Sequence, residues 1–88
     1  MKESHSVLCA GIIVLDHGCS PIEHFPEEGE LIATGGMALT LGGCAANVGV
    51  DLAKMGVNSK ILGKIGDDDF GQLILQKLKL TGADISKI

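Results

Sequence analysis

The sequence contains no tryptophan and no tyrosine, and phenylalanine occurs only twice in 88 residues. Large rings therefore cannot fill the interior, which must be built from Ile, Leu, Val, Ala and Met. A chain of this length forms at most one small globular unit. Thirteen glycines are about twice the average share. They form neither a low-complexity tract nor a repeat of every third residue, which excludes a disordered linker and a collagen-like helix.

Positive charge is also scarce, with 7 Lys and Arg residues against 11 Asp and Glu residues and a net charge of -4. This balance argues against a surface that neutralises nucleic-acid or lipid phosphates. Three cysteines without a C-x-x-C pair argue against a disulfide framework or a zinc ribbon, and they favour a reducing, cytoplasmic setting. The longest apolar run, residues 7–15, is far shorter than the roughly 20 residues of a membrane span.

The order of the apolar patterns predicts an α/β fold. The β-branched run at residues 7–15 is typical of a parallel strand that is buried on both faces. Residues 30–34 and 37–41 flank Gly35 and Gly36, which is the spacing of a two-residue β-hairpin. The second arm alternates large apolar and small residues, so one face of this hairpin is apolar. Such a hairpin is only marginally stable unless something covers that face.

A change of period after the hairpin predicts helices. Val48, Leu52 and Met55 recur at helical spacing and predict an amphipathic helix over residues 45–55 that ends at Gly56. Three further elements follow: a strand at residues 59–65, a second helix that ends near residue 80, and the start of a strand at residues 85–88. The sequence thus indicates a parallel sheet flanked by helices, with an inserted antiparallel hairpin.

Candidate binding residues follow the first predicted strand and precede the first helix. Asp16 is predicted at the carboxyl end of the strand, where open α/β sheets bind ligands, and its carboxylate can accept hydrogen bonds from a vicinal diol. Gly42 and Gly43 allow backbone N–H groups to approach a polar ligand at a helix N-terminus, and Asn47 lies in the first turn. From spacing alone, a turn or capping role remains open for Asp16, and an ordinary solvent-facing role for Asn47.

Other polar residues point to structural roles. Asp67, Asp68 and Asp69 directly precede the second helix, so helix capping is favoured over magnesium binding. The three histidines share no metal-ligand spacing, and Cys44 has no histidine partner placed by the sequence, so packing is its default role. The dinucleotide fingerprint G-x-G-x-x-G and the phosphate loop G-x-x-x-x-G-K-[ST] are both absent. The absence of both patterns argues against a generic nucleotide-binding domain.

Several of these residues are spaced as in one known family. The residues are Gly11, Asp16, the segment 42–47 that reads Gly-Gly-Cys-Ala-Ala-Asn, Gly56, and the segment 66–71 that reads Gly-Asp-Asp-Asp-Phe-Gly. In this arrangement, residues 7–88 resemble the N-terminal part of ribokinase-like (PfkB) carbohydrate kinases. Gly49 departs from the family signature, which expects Ser, Thr or Ala there. Cys44 stands where ribokinase itself carries Lys, so ribose specificity is not supported.

The resemblance implies an ATP-dependent kinase that phosphorylates a hydroxymethyl group of a sugar. Asp16, Gly42, Gly43 and Asn47 would bind substrate hydroxyls, and the hairpin at about residues 30–41 would form a lid hinged at the di-glycine. The apolar face of the lid would form a homodimer contact. Neither nucleic acid nor a membrane is an expected partner; the expected partner is a sugar or related polyol.

The same resemblance identifies what the sequence lacks. The family's Gly-Ala-Gly-Asp segment, with the catalytic base and the anion hole, does not occur here, and ATP and Mg²⁺ would bind outside these residues. We therefore expect residues 1–88 to be the N-terminal portion of a sugar-kinase domain, with no catalytic, cofactor or metal residue and no activity alone. A nucleoside kinase of the same superfamily and a non-catalytic module that pairs hairpins are the alternatives.

Overall fold

A computed structural model describes residues 5–88 and confirms the predicted α/β class. The elements are β1 (Val7–Ala10), β2 (Val14–Ser20), β3 (Gly36–Gly42), α1 (Cys44–Lys54), β4 (Ser59–Leu62), α2 (Asp69–Lys79) and β5 (Asp84–Lys87). A three-stranded parallel sheet has the order β1-β4-β5, while β2 and β3 form a separate two-stranded antiparallel sheet, here called the ribbon. Residues 1–4 of the predicted 1–88 unit lie outside the described residues.

The predicted first strand is two strands that belong to different sheets. The chain leaves the parallel sheet at Gly11, and Ile13 then inserts into the core at 7% exposure. Burial on both faces was the wrong expectation for β1, because Cys9 is buried whereas Val7 and Leu8 are exposed. Within residues 5–88, β1 pairs only with β4 and therefore forms an edge of the sheet.

The antiparallel ribbon exists, but the prediction of its first arm was wrong. Residues 30–34 belong to the connection between β2 and β3, and β3 pairs instead with β2, in the register Asp16 to Thr40 and His17 to Leu39. All seven residues of β2 pair with all seven of β3, which forms a longer ladder than a five-residue arm would. The connection is held by the Glu30 carboxylate, which accepts from the Glu27 amide at 2.8 Å.

Helix α1 occupies the predicted span within one residue, but its buried face differs from the predicted one. Ala45, Ala46 and Gly49 face the core, whereas Val48 and Met55 are 51% and 75% exposed. Small residues let the helix lie close to the sheet: a Cβ at Gly49 would come within 2.5 Å of Ile61 Cγ1. The buried stripe is therefore set by close approach, not by the largest apolar side chains.

The core lies between the parallel sheet and the two helices. Its fully buried side chains include Ile61 on β4 and Leu78 on α2, and Ile74 is 5% exposed. Gln72, Gln76 and Lys79 of α2 are exposed, and Gly82, with a φ of 87°, ends the turn after the helix. No helix in residues 5–88 is long and apolar enough to cross a membrane.

Candidate functional site

Asp16 lies in the ribbon and not at the carboxyl end of a sheet strand. It is the third residue of β2, six positions beyond the end of β1. Its exposed carboxylate lies directly against Gly42 on β3, so a Cβ at that position would overlap Asp16 Oδ2. Residues opposite each other in an antiparallel pair share a face, and Thr40 therefore lies on the same face as Asp16.

Gly43 joins the ribbon to α1 in a conformation that favours glycine. Its φ is 93° and its ψ is 147°, and a Cβ there would overlap the carbonyl oxygen of Ile12. That carbonyl also accepts a hydrogen bond from the Ala45 amide at 3.1 Å. The β1–β2 connection therefore fixes the start of the helix, and the junction leaves no room for a side chain at Gly43.

Among residues 5–88, no side chain caps the N-terminus of α1, and its first turn contains no acidic residue. The backbone N–H of Asn47 donates to the Gly43 carbonyl at 2.9 Å, which closes the first turn. By contrast, α2 is capped, because Asp68 Oδ1 accepts from the Gly71 amide at 2.8 Å. In the described part of the chain, the partial positive charge of the α1 N-terminus is thus not offset by a capping side chain.

Three of the four sequence-predicted site residues meet where the ribbon joins α1, and Asn47 follows in the first turn of the helix. The Asp16 carboxylate contacts Gly42, Gly42 is bonded to Gly43, and the Gly43 carbonyl accepts from Asn47. We call this group the ribbon–helix junction. It combines an exposed carboxylate, two positions without side chains, an uncapped helix N-terminus and an exposed asparagine.

Sequence reasoning missed Thr40 because it paired β3 with the wrong partner. The sequence carried little signal, since residues 16–20, Asp-His-Gly-Cys-Ser, neither alternate apolar and polar side chains nor contain β-branched residues. Sequence reasoning also missed Ile12, whose carbonyl supports the helix start, because backbone groups leave no mark in the sequence.

The middle residue of the aspartate triplet serves as a helix cap. Asp68 caps α2, and Gly71 is packed so closely on the Gly66 carbonyl that a Cβ would overlap it. Residues 5–88 hold no group of three or more His, Cys, Asp or Glu side chains arranged to bind a metal ion. The capping interpretation is therefore confirmed for Asp68.

Two carboxyl groups with shifted pKa values lie outside the junction. The Glu27 amide, and then the His24 side chain, lower the pKa of Glu30 by hydrogen bonding. The Ser86 amide lowers the pKa of Asp84 in the same way. Both carboxyls are exposed, and both accept hydrogen bonds from backbone amides two or three residues away.

Comparison with known proteins identifies the family. The model of the pfkB family carbohydrate kinases matches residues 4–88. The chain belongs to the pfkB family. The predicted resemblance and the ribokinase-like fold are thus confirmed for this pfkB-family chain. A search of curated protein sequences found no match to the chain.

Solved structures similar to this pfkB-family chain include kinases with different named substrates. Ribokinase from Cryptococcus neoformans var. grubii serotype A, in complex with ADP, has 28% identity and a TM-score of 0.80 over 97% of this chain. Nucleoside kinase from Methanocaldococcus jannaschii has 34% identity and a TM-score of 0.78 over 93% of the chain. Ribokinase from Arabidopsis thaliana, complexed with ribose and ATP, has 27% identity and a TM-score of 0.84 over 93% of the chain.

The chain spans about a quarter of the length of these relatives. The shares of the three solved chains that it covers are 26%, 27% and 27%. Within the ribokinase-like fold, it therefore accounts for one parallel sheet segment, two helices and the ribbon.

Proposed function

We propose that this chain is the N-terminal, substrate-binding portion of an ATP-dependent kinase that phosphorylates a sugar hydroxymethyl group. The observation that carries the proposal is the contact of the Asp16 carboxylate with Gly42, directly beside the uncapped N-terminus of α1. Family membership supports the class of reaction, which is phosphoryl transfer to a carbohydrate.

The chemistry of the ribbon–helix junction matches a polyol. The Asp16 carboxylate accepts hydrogen bonds from two neighbouring hydroxyls, and such charge-assisted bonds are the stronger ones. Backbone N–H groups at the start of α1 donate to sugar oxygens. The absence of side chains at Gly42 and Gly43 lets the Asp16 carboxylate and the Ile12 carbonyl pack directly on the junction. The side-chain amide of Asn47 supplies both a donor and an acceptor. In this proposal, all four residues bind substrate, and none of them is the catalytic base.

The ribbon is proposed to act as a lid over the sugar. Its second strand runs directly into Gly42 and Gly43, so a change of backbone angles at these two glycines would move the ribbon relative to α1. Closure would exclude water that otherwise competes for the phosphoryl group, and it would hold the acceptor hydroxyl in line. A larger residue would not fit at either position, because a side chain at Gly42 would overlap the Asp16 carboxylate and one at Gly43 would overlap the Ile12 carbonyl.

ATP and Mg²⁺ are proposed to bind outside these 88 residues. The described residues contain neither a phosphate-loop pattern nor a group of acids arranged for a metal, so they do not fit either group. Hence the chain alone is expected not to transfer phosphate. Incubation with ATP and ribose, fructose or adenosine, followed by measurement of ADP, tests this expectation. Production of ADP that depends on the sugar would contradict it.

Sugar binding to the junction can be measured directly. In an NMR titration with ribose, fructose and adenosine, we expect saturable shifts at the amides of residues 16, 42, 43 and 47. Asp16→Asn should weaken binding about tenfold or more, because a hydrogen bond to a charged group is lost. Asp84→Asn is the matched control, since Asp84 begins β5 at the opposite end of the parallel sheet. Equal weakening by both variants would argue against the junction as the site.

A nucleoside kinase is the alternative within the same fold. The 34% identity to an archaeal nucleoside kinase supports this alternative. A kinase of the relatives' full length that contains this segment should be assayed against pentoses, hexoses and nucleosides. Turnover with nucleosides only would replace the sugar assignment.

Dimerisation through the ribbon is the non-catalytic alternative. The register places the larger side chains of both strands on one face. The base of this face packs on the core, while further out Met37 is 61% exposed and Leu39 is half-buried. Leu39→Lys should therefore halve the sedimenting mass of a dimer, whereas Ala38→Lys, on the opposite face of β3, should not. An unchanged mass in Leu39→Lys would count against ribbon pairing.

The proposed setting is a reducing compartment such as the cytoplasm. All three cysteines are free thiols, and two of them, Cys19 and Cys44, are exposed. Exposed free thiols persist where glutathione keeps them reduced, which supports this setting.

A further inference from the structure

The ribbon is joined to the second helix by a ring contact that the proposed function does not use. The centroids of the His17 and Phe70 rings are 4.9 Å apart, with an interplanar angle of 68°, which is an edge-to-face arrangement. His17 follows Asp16 directly on β2, and Phe70 lies in the first turn of α2. The contact therefore links the Gly-Asp-Asp-Asp-Phe-Gly segment to the strand that carries the proposed sugar-binding carboxylate.

The backbone around Phe70 is held on both sides. Before it, Asp68 caps the helix through its side chain and also accepts from the Gln72 amide at 3.0 Å through its carbonyl. After it, Gly71 is buried against the Gly66 carbonyl, where no Cβ would fit. The Phe70 ring is 49% exposed, so one side packs while the other is open to solvent. The segment thus presents a ring from a fixed position.

His17 lies on the face of the ribbon that packs against the body of the protein. Neighbouring residues of a strand point to opposite faces, so His17 and Asp16 face opposite ways. On the His17 face, Leu15 and Leu41 pack against the core at the base of the ribbon. Further out, the contact with Phe70 holds the strand against α2, one residue from Asp16.

We infer that His17 and Phe70 are positioning residues that hold the ribbon against α2 and thereby fix the position of the Asp16 carboxylate relative to the parallel sheet and its helices. Neither ring touches the substrate in this arrangement, and both act through the strand. The part of the inference that concerns substrate affinity rests on the proposed function, because it requires Asp16 to bind the sugar. The part that concerns the position of the strand does not.

The position of the strand can be tested on the 88-residue chain without any ligand. Amide hydrogen exchange is measured by NMR for Phe70→Ala, Phe70→Tyr and Phe25→Ala. Loss of one edge-to-face ring contact should speed exchange in β2 and β3 about three- to tenfold. Exchange in β1 and β4 should not change. Phe70→Tyr keeps the ring and should retain the slow exchange, since its hydroxyl can reach solvent.

Phe25→Ala is the matched control, because Phe25 is 87% exposed in the connection between the ribbon strands. It should leave ribbon exchange unchanged. If Phe70→Ala does not fold, His17→Ala removes the same contact from an exposed strand position without altering α2. Unchanged exchange in the ribbon, or an equal increase throughout the sheet, would overturn the inference.

Ribose titration separates this inference from the proposed function. If the unaltered chain binds ribose at the junction, Phe70→Ala should weaken binding about three- to tenfold. Phe70→Tyr should restore it. Unchanged affinity despite faster ribbon exchange would overturn the positioning role. If the unaltered chain binds none of ribose, fructose and adenosine, the proposed function fails. The exchange data then decide by themselves whether the ring pair holds β2.

Discussion

Gly49 provides the sharpest test of how α1 packs on the sheet. It is buried on the helix face that contacts β1 and β4, and the family signature expects Ser, Thr or Ala at this position. A Cβ there would lie 2.5 Å from Ile61 Cγ1 and 2.8 Å from Ile61 Cδ1, with Cys9 Cβ at 3.8 Å. Ordinary carbon contacts are about 3.5–4.0 Å. Gly49→Ala therefore forces the helix or Ile61 to move by roughly 1 Å.

The expected magnitude is a balance of two effects. Overpacking a dense core costs about 1–3 kcal/mol, and Ile61 is fully buried, so its side chain has no solvent to move into. Replacing glycine by alanine within a helix returns about 1 kcal/mol of helix propensity. We therefore expect Gly49→Ala to lower the free energy of unfolding by about 1 kcal/mol. This corresponds to a fall of roughly 4–8 °C in Tm for a chain of this size.

A double-mutant cycle measured by urea unfolding, followed by circular dichroism, separates the two effects. Ile61→Val alone should cost about 0.5–1.5 kcal/mol, because it removes a buried methyl group. In that background Gly49→Ala should cost less than in the unaltered chain, since Cδ1, one of the two atoms that crowd the new Cβ, is gone while Cγ1 remains. Asp51→Ala on the exposed side of α1 is the control for propensity, and it should stabilise by a few tenths of a kcal/mol.

Two results would refute this reasoning. Stabilisation by Gly49→Ala in the unaltered background would mean that propensity outweighs packing and that the helix moves freely away from β4. An equal effect of Gly49→Ala with Ile61 and with Val at that position would mean that the two residues do not compete for space. Either result would also remove our explanation for the glycine at this position of the family signature.

The remaining predictions concern single side chains. Asp68→Ala should lower the free energy of unfolding by about 1 kcal/mol, because the Gly71 amide loses its hydrogen-bond acceptor. Asp68→Asn should retain most of the stability, since asparagine also caps helices. Urea unfolding of both variants tests this. The Ser86 amide lowers the pKa of Asp84 by donating a hydrogen bond to its carboxylate. This hydrogen bond therefore stabilises the fold above about pH 4, and the stabilisation is lost as the pH falls through the folded pKa of Asp84. Asp84→Asn should therefore make the acid-side loss of stability shallower, which thermal unfolding at several pH values will reveal. Cys9 should react with a thiol reagent only upon unfolding, whereas the other two cysteines should react at once.

Local patterns predicted most of the elements, and long-range pairing explains the main errors. The helix bounds followed from periodicity and from the glycine after α1, because both are local properties. The partner of β3 could not be predicted in this way, since any extended segment at a suitable distance satisfies a hairpin pattern. Residues 30–34 were nearer in sequence, but β2 offered a complete seven-residue ladder. The run at residues 7–15 also hid a break at Gly11, because strands of two sheets can follow each other without a polar interruption.

The site shows the same division between local and distant information. The residue types and spacing of Asp16, Gly42, Gly43 and Asn47 were readable as a set, and the structure brings them to one junction. Their geometry was not readable, because the closeness of Asp16 to Gly42 depends on the register of the ribbon. The contact between His17 and α2 was likewise hidden, since it joins residues more than fifty positions apart.

The edge position of β1 has a consequence for the behaviour of this chain in solution. Within residues 5–88, the strand offers one unpaired row of backbone N–H and C=O groups, beside exposed Val7 and Leu8. Between β1 and α1 runs an apolar groove of about 320 Å³ that includes Val48. An open strand edge of this kind accepts another extended segment and promotes self-association. Among residues 5–88 this open edge is separate from the ribbon, and Leu8→Lys would place a charge beside it while leaving the ribbon intact.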